Sequence, residues 1–263
     1  MPSPENNNLE EVNTAYGREI ISFYGADPRE IPLYGISQAA RYLSIPTATL
    51  HSWTMGRKYP VGQQREMRDF KPIIIPPDPN LPMLSFINLM EAHVLSGMRR
   101  IEGVPFYKVR SALEYLDREI PSPHPLIEHH FETDGVDLFV RRLESLIKVS
   151  GHGQVVIAEV VSTYLRRIKR DLNLNAVRLI PFLRQEPQSL AKDVDIEEPE
   201  KIMIDPLISF GRPVIVGTGI PTDVVADRFF AGEYVEDLAK DYGITPEQVQ
   251  EAVWYESPTR KAA

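Results

Sequence analysis

The sequence predicts a mainly α chain with short β elements (α+β): a winged helix-turn-helix head, a middle helix-and-hairpin segment, and a C-terminal helix-turn-helix-like domain. Three observations carry this reading. Apolar residues recur at helical spacing from Ile36 onward, and the strand-like runs are short and end in Pro, Gly or Asp-Gly turns. Two segments, Ile36 to Trp53 and Val235 to Ala252, also share the small crossing residue, tight turn and apolar clamps of paired helices.

At 263 residues the chain has room for two or three compact modules. With 43% hydrophobic and 25% charged residues it sits near the globular average, which argues against general disorder. Cysteine is absent, so thiol catalysis, thiolate metal sites and disulfides are excluded, in keeping with a reducing compartment. The start, Met1 to Glu11, is polar and Asn-rich, and no apolar run approaches the roughly 18 residues a bilayer span needs. A cytoplasmic location without membrane contact is expected.

The net charge of −8 hides a division along the chain. Between Ile36 and Pro60 there is no Asp or Glu, while Arg41, Arg57 and Lys58 are basic. From Thr222 to Glu256 nine acids face only Arg228 and Lys240. The front can meet phosphate and the rear would repel it.

Residues 1–31 lack clear periodicity and read as a flexible arm. The head is expected over 32–79 and includes a short strand at Ile73 to Ile75 that ends in Pro76-Pro77-Asp78-Pro79. The middle segment, 80–184, should hold a helix pair at Leu84 to Arg100 and Phe106 to Leu116. A hairpin turning at Asp134-Gly135 between Leu126 to Phe131 and Val136 to Val140 should follow, then a strand-like Ser145 to Val149 and a helix from Gln154 to about Asp171. Residues 185–200 are polar and acidic, a linker. The domain at 201–256 opens with strands at Ile202 to Ile204 and Pro213 to Val216 and continues in helices at Asp223 to Ala231, Val235 to Tyr242 and Pro246 to Tyr255. A frayed tail, 257–263, ends the chain.

In the first helix-turn-helix, Ala40 is the small residue at the crossing, Leu43 and Ile45 bracket the turn, and Leu50 and Trp53 share the inner face of the second helix. Ser44 stands where a left-handed glycine is usual. The segment resembles the DNA-binding unit of the MerR family, whose second helix is followed by a wing, here Gly56-Arg57-Lys58-Tyr59-Pro60. The resemblance implies that Thr47, Thr49, His51 and Ser52 project toward base edges, that Arg57, Lys58 and Tyr59 reach the backbone, and that Arg41 adds a phosphate contact.

The second helix-turn-helix has Ala239 at the crossing, Gly243 in the turn, and Leu238, Ile244 and Val249 as clamps. Its second helix presents Glu247 and Glu251, and carboxylates facing phosphates would cost affinity. Protein contact is therefore expected there, either with a second copy or with another protein. The string Ile204-Asp205-Pro206, Gly211-Arg212-Pro213-Val214-Ile215, Gly217-Thr218-Gly219-Ile220-Pro221, Asp241-Tyr242-Gly243-Ile244 resembles a small domain, long of unknown function, that recurs as the antitoxin beside PIN-like toxin genes. Many of its members carry Arg at the places of Gly219 and Val216, so no role of those arginines transfers. With the head, the whole is similar to the longer VapB-type antitoxins.

That resemblance implies a type II antitoxin, not an enzyme, that binds and neutralises a PIN-like ribonuclease toxin and represses its own operon on double-stranded operator DNA. A guanidinium donated to the toxin's acidic site would be the natural plug, with Arg212, Arg228 and Arg260 as candidates beside Glu247 and Glu251. A homodimer is expected from the small footprint of one head. A stand-alone regulator without a toxin, or a protein-interaction module, would share most of these features.

No cofactor, metal or catalytic residues are expected. His124, His129, His130 and His152 lack metal-ligand spacing, and Gly211 to Gly217 lacks the pattern of a phosphate-binding loop. The run Arg166 to Arg170 reads as a solvated helix C-terminus.

Overall fold

A computed structural model describes residues 26–61, 66–101, 104–119, 121–128, 135–146, 151–182 and 200–257. The fold is mainly helical with short antiparallel hairpins, in agreement with the sequence. After strand β1 (Tyr34–Gly35), helix α1 (Ile36–Tyr42) turns into α2 (Thr47–Thr54) through Ser44, which holds a left-handed φ of 51° as the pattern requires. The turn is tied by the Ile45 amide donating to the Ala40 carbonyl at 2.9 Å.

Helix α2 ends at Gly56, where φ is +71° and any Cβ would press on the Phe70 carbonyl, so only glycine fits. Strands β2 (Arg57–Val61) and β3 (Glu66–Phe70) then pair from Arg57 opposite Phe70 to Val61 opposite Glu66. The expected strand at Ile73 to Ile75 does not form. The Ile73 and Ile74 amides are instead spent on the Trp53 carbonyl, at 2.7 and 3.1 Å, satisfying the end of α2.

Strand β4 (Met83–Leu84) pairs with β1 and leads into α3 (Phe86–Arg99). Ser85 and Asn88 form a reciprocal capping box at its start, and every residue from Phe86 to Met98 is buried, which makes α3 the central helix. Helix α4 (Phe106–Glu119) completes the expected pair.

The expected hairpin strand at Val136 to Val140 is instead part of α5 (Val136–Leu146). Val136, Phe139, Val140 and Leu143 are its buried residues, an i, i+3, i+4, i+7 set that fits a helix better than a strand. The strand-like stretch at Ser145 begins inside α5, and the rest of it, with the Thr133-Asp134 half of the turn, lies outside the described residues.

Helix α6 (Gly151–Arg166) stops earlier than expected, and β5 (Ile168–Arg170) pairs with β6 (Ala176–Leu179). The basic run is therefore a solvated helix end only at Arg166, which is exposed in the last turn of α6. Arg167 is buried over the Phe182 ring at 4.5 Å, and Arg170 donates to the carbonyls of Ile127 and Leu174 at 2.7 and 3.0 Å.

One apolar core runs from Tyr34 through Phe182 and crosses the expected boundary near residue 80. Residues at the end of the expected arm also pack, the Arg29 guanidinium reaching the Ala176 carbonyl at 3.3 Å. The C-terminal unit comprises β7 (Ile202–Met203), β8 (Val214–Ile215), α7 (Thr222–Phe230), α8 (Val235–Tyr242) and α9 (Pro246–Glu256). Its own core holds Ile202, Ile215, Val225, Leu238, Val249, Ala252 and Tyr255. Gly243 makes the left-handed turn between α8 and α9 at φ 64°.

This unit is seated on the head. The Tyr255 hydroxyl donates to the Tyr42 carbonyl at 2.9 Å, Arg41 pairs with Glu256 at 2.7 Å, and Leu179 and Ile204 exchange backbone hydrogen bonds at 2.9 and 2.8 Å. Among the described residues no helix is long and apolar enough to cross a membrane.

Candidate nucleic-acid interface

Helix α2 divides into two faces. Leu50 and Trp53 are fully buried, and the Trp53 ring stacks on Phe106 of α4 with centroids 5.6 Å apart. Thr47 and His51, one turn apart, are exposed and share the outer side, whereas Thr49, one turn before the buried Trp53, is half-buried and falls on the inner side with it. Ser52 is buried, and its hydroxyl donates to the Thr49 carbonyl at 2.8 Å, turning back into its own helix as a short hydroxyl side chain readily does.

The hairpin β2–β3 follows directly. Arg57 and Lys58 are exposed, and Tyr59 lies opposite Arg68 in the register. The Arg57 guanidinium sits 5.5 Å from the centre of the Phe70 ring, the residue opposite it, and Arg110 of α4 lies only 3.8 Å from the same ring. Lys71, just after β3, is exposed as well.

The acid-free stretch of sequence is not an acid-free surface. Asp69 stands opposite Lys58 in the register, and Glu256, brought in from α9, takes up Arg41. Arg41 is thus engaged inside the chain, one-third exposed, with the Tyr42 ring 5.1 Å away. Glu256 also accepts from the Thr222 hydroxyl at 2.7 Å. Sequence reasoning missed this residue because its partner lies 215 positions away.

The C-terminal arginines are also committed. Arg212 lies 3.4 Å from Asp223, and Arg228 reaches Glu233 and, at 2.8 Å, Asp241. The hydrogen bond from Arg228 holds the Glu233 carboxyl below its usual range, and the same bonds raise the already high basicity of Arg228. Glu247 is exposed and its acidity is strengthened by the Thr245 hydroxyl, while Glu251 is half-buried. Arg260 lies outside the described residues.

Of the histidines, His93 is fully buried between Tyr164 and Phe182, and burial lowers its pKa to about 3, so it is neutral. His124 lies 3.3 Å from the buried Glu91. Among the described residues no group of three His, Cys, Asp or Glu side chains could hold a metal.

Comparison with known proteins divides the chain similarly. Residues 32–113 match the model of a family described as a putative DNA-binding helix-turn-helix domain, and residues 202–255 match a family described only as a protein of unknown function. Over 239 residues the chain is 29% identical to the Mycobacterium tuberculosis protein named Putative antitoxin VapB45, covering 85% of this chain and 93% of that one. It is 24% identical over 237 residues to a second protein of that organism, the uncharacterised Rv2308, covering 89% and 93%. The crystal structure of Rv2018, also from M. tuberculosis, superimposes with a TM-score of 0.57 at 25% identity, over 85% of this chain and 97% of that one. The chain is thus similar over most of its length to a protein named as an antitoxin, and its head matches a helix-turn-helix family described as DNA-binding.

Proposed function

We propose that the chain is a type II antitoxin that binds operator DNA through α2 and the β2–β3 hairpin, represses its own operon, and neutralises a PIN-like ribonuclease through its C-terminal unit. The observation that carries the reading is the combination of an outward helix face, Thr47 and His51, with a hairpin beside it that exposes Arg57 and Lys58. This is the geometry of a recognition helix and its wing: the helix reads base edges in the major groove while the wing holds the backbone. Tyr59 joins the wing by its place in β2, and Arg41 would contact phosphate only after leaving Glu256.

Similarity to a protein named as an antitoxin over most of both chains supports the toxin-binding half. The surface of that half is the C-terminal unit, including Glu247 and Glu251. A plug made of Arg212 or Arg228 would have to break the ion pairs each now makes. Dimerisation would place two heads on successive half-sites.

The test is a gel shift with duplex DNA from upstream of the chain's own reading frame, alongside co-expression with the neighbouring gene. Specific retention that weakens steeply with salt is expected, and Arg57→Ala should lower affinity and reduce the salt slope by about 1 for each bound head. Retention equal to that of a scrambled duplex refutes the DNA half, and no rescue of growth or co-purification refutes the toxin half.

A further inference from the structure

Two elements proposed to touch DNA, α2 and the hairpin, are held by a third that touches none. Helix α4 presents Phe106 and, one turn later, Arg110 on the same face. Phe106 stacks on Trp53 at the end of α2, with rings 21° from parallel. Arg110 stacks on Phe70 at the end of β3, its guanidinium 3.8 Å from the ring centre, and donates to the Lys71 carbonyl. Its remaining charge faces Glu114 at 3.7 Å. Arg57 lies over Phe70 from its own strand, so the ring has a cation that is exposed and a cation that is not: the Arg110 side chain is 16% exposed.

We infer that Arg110 is a positioning residue for DNA recognition: clamped on Phe70 and Lys71, it fixes the hairpin, and with it Arg57, at one angle to the recognition helix that Phe106 holds through Trp53. The physical reason is that a guanidinium is planar and forked. It can lie flat on a ring while donating in its own plane to a carbonyl, which an ammonium cannot do. A two-stranded hairpin alone is marginally stable, so its orientation has to come from outside it.

The inference rests on the proposed reading of α2 and the hairpin, and the experiment separates the two. Wild type, Arg110→Ala, Arg110→Lys and Arg57→Ala are titrated at several salt concentrations onto labelled duplex from upstream of the chain's own reading frame and onto a scrambled duplex. Circular dichroism and thermal melts of the full chain accompany the titrations. If wild type does not distinguish the duplexes, the DNA reading itself fails.

Given discrimination by wild type, Arg110→Ala is expected to weaken specific binding about tenfold, as loss of a desolvated cation–π contact and a charged hydrogen bond implies. Its salt slope should remain that of wild type, because no phosphate contact is lost, and Arg110→Lys should recover little. Arg57→Ala should instead reduce the slope by about 1 for each bound head. A slope reduced equally by Arg110→Ala would make Arg110 a direct phosphate contact and overturn the inference, as would unchanged affinity or full rescue by lysine. Should Arg110→Ala fail to fold, Phe70→Leu, which keeps an apolar side chain but removes the ring, must show the same loss with the same slope.

Discussion

Glu256 is the best-defined joint between the two ends of the chain. Its side chain is 7% exposed, one oxygen takes Arg41 at 2.7 Å and the other accepts from the Thr222 hydroxyl at 2.7 Å. Removing one partner of a fully buried ion pair costs about 3–5 kcal/mol. Arg41 is 33% exposed and can turn to water when left alone, so its share falls to the order of 1 kcal/mol. Thr222 has no such escape: it is completely buried, with only a 3.4 Å contact to the Pro213 carbonyl remaining, and loss of its acceptor adds about 1 kcal/mol more.

Glu256→Ala should therefore cost about 2 kcal/mol, and Glu256→Gln, which keeps an acceptor for Thr222, about half of that. In a chain this long the alanine variant should lower Tm by about 4–8 °C. Urea unfolding of the two variants, of Arg41→Met and of the Arg41→Met/Glu256→Ala double variant gives the pairwise coupling directly. A coupling of zero, or equal losses from alanine and glutamine, would refute the account of a carboxylate shared between two donors.

His124 supplies a pH-dependent prediction. Burial disfavours its charged form, but the hydrogen bond and charge of Glu91, with Glu30 and Glu128 nearby, outweigh this and raise its pKa above the ordinary 6.5. The stabilisation is fully present below 6.5 and is lost as pH rises through the higher folded value, so the urea-unfolding gap between wild type and His124→Gln should narrow from acid to alkaline pH; a gap that widens refutes it. Gly97→Ala sets helix propensity against packing. The new Cβ would lie 2.5 Å from the Tyr164 ring, itself held between His93 and Phe182, so overpacking of about 1–3 kcal/mol should outweigh the propensity gain of about 1 kcal/mol, and a raised Tm would contradict this.

Legibility in the sequence followed the range of the interactions. The head pair and the three C-terminal helices were readable because their turns carry local chemistry: a left-handed Ser44, a left-handed Gly243, and a Thr245–Gln248 capping box with Pro246 in the first turn. The hairpin expected across Asp134-Gly135 does not form because the eight residues after that dipeptide carry helical spacing in Val136, Phe139, Val140 and Leu143. The basic run meets the expectation only at Arg166, exposed in the last turn of α6; beyond it Arg167 finds an aromatic face and Arg170 two carbonyls, partners that no local pattern names. Within the site, the exposed face of α2 was legible at Thr47 and His51 but not at Thr49, half-buried beside Trp53, or at Ser52. Arg110 and Glu256 were not, since nothing near them in sequence names Phe70 or Arg41 as partner.

That last gap bears on how strongly the head should feel salt. Counted along the sequence, Arg41, Arg57 and Lys58 appear to offer three cations with no acid among them. In space Arg41 is matched by Glu256, Arg110 is stacked and capped by Glu114, and among the described side chains the exposed cations beside α2 are Arg57, Lys58 and Lys71. Three phosphate contacts per head correspond to a slope of log affinity against log salt of about −3, or about −5 for a pair of heads. A markedly steeper slope would mean that Arg41 leaves Glu256 for phosphate when DNA binds. Glu256→Gln discriminates between the cases: with Arg41 uninvolved the slope stays put, whereas if phosphate and Glu256 compete for Arg41 the variant binds more tightly than wild type, because the competing carboxylate is gone.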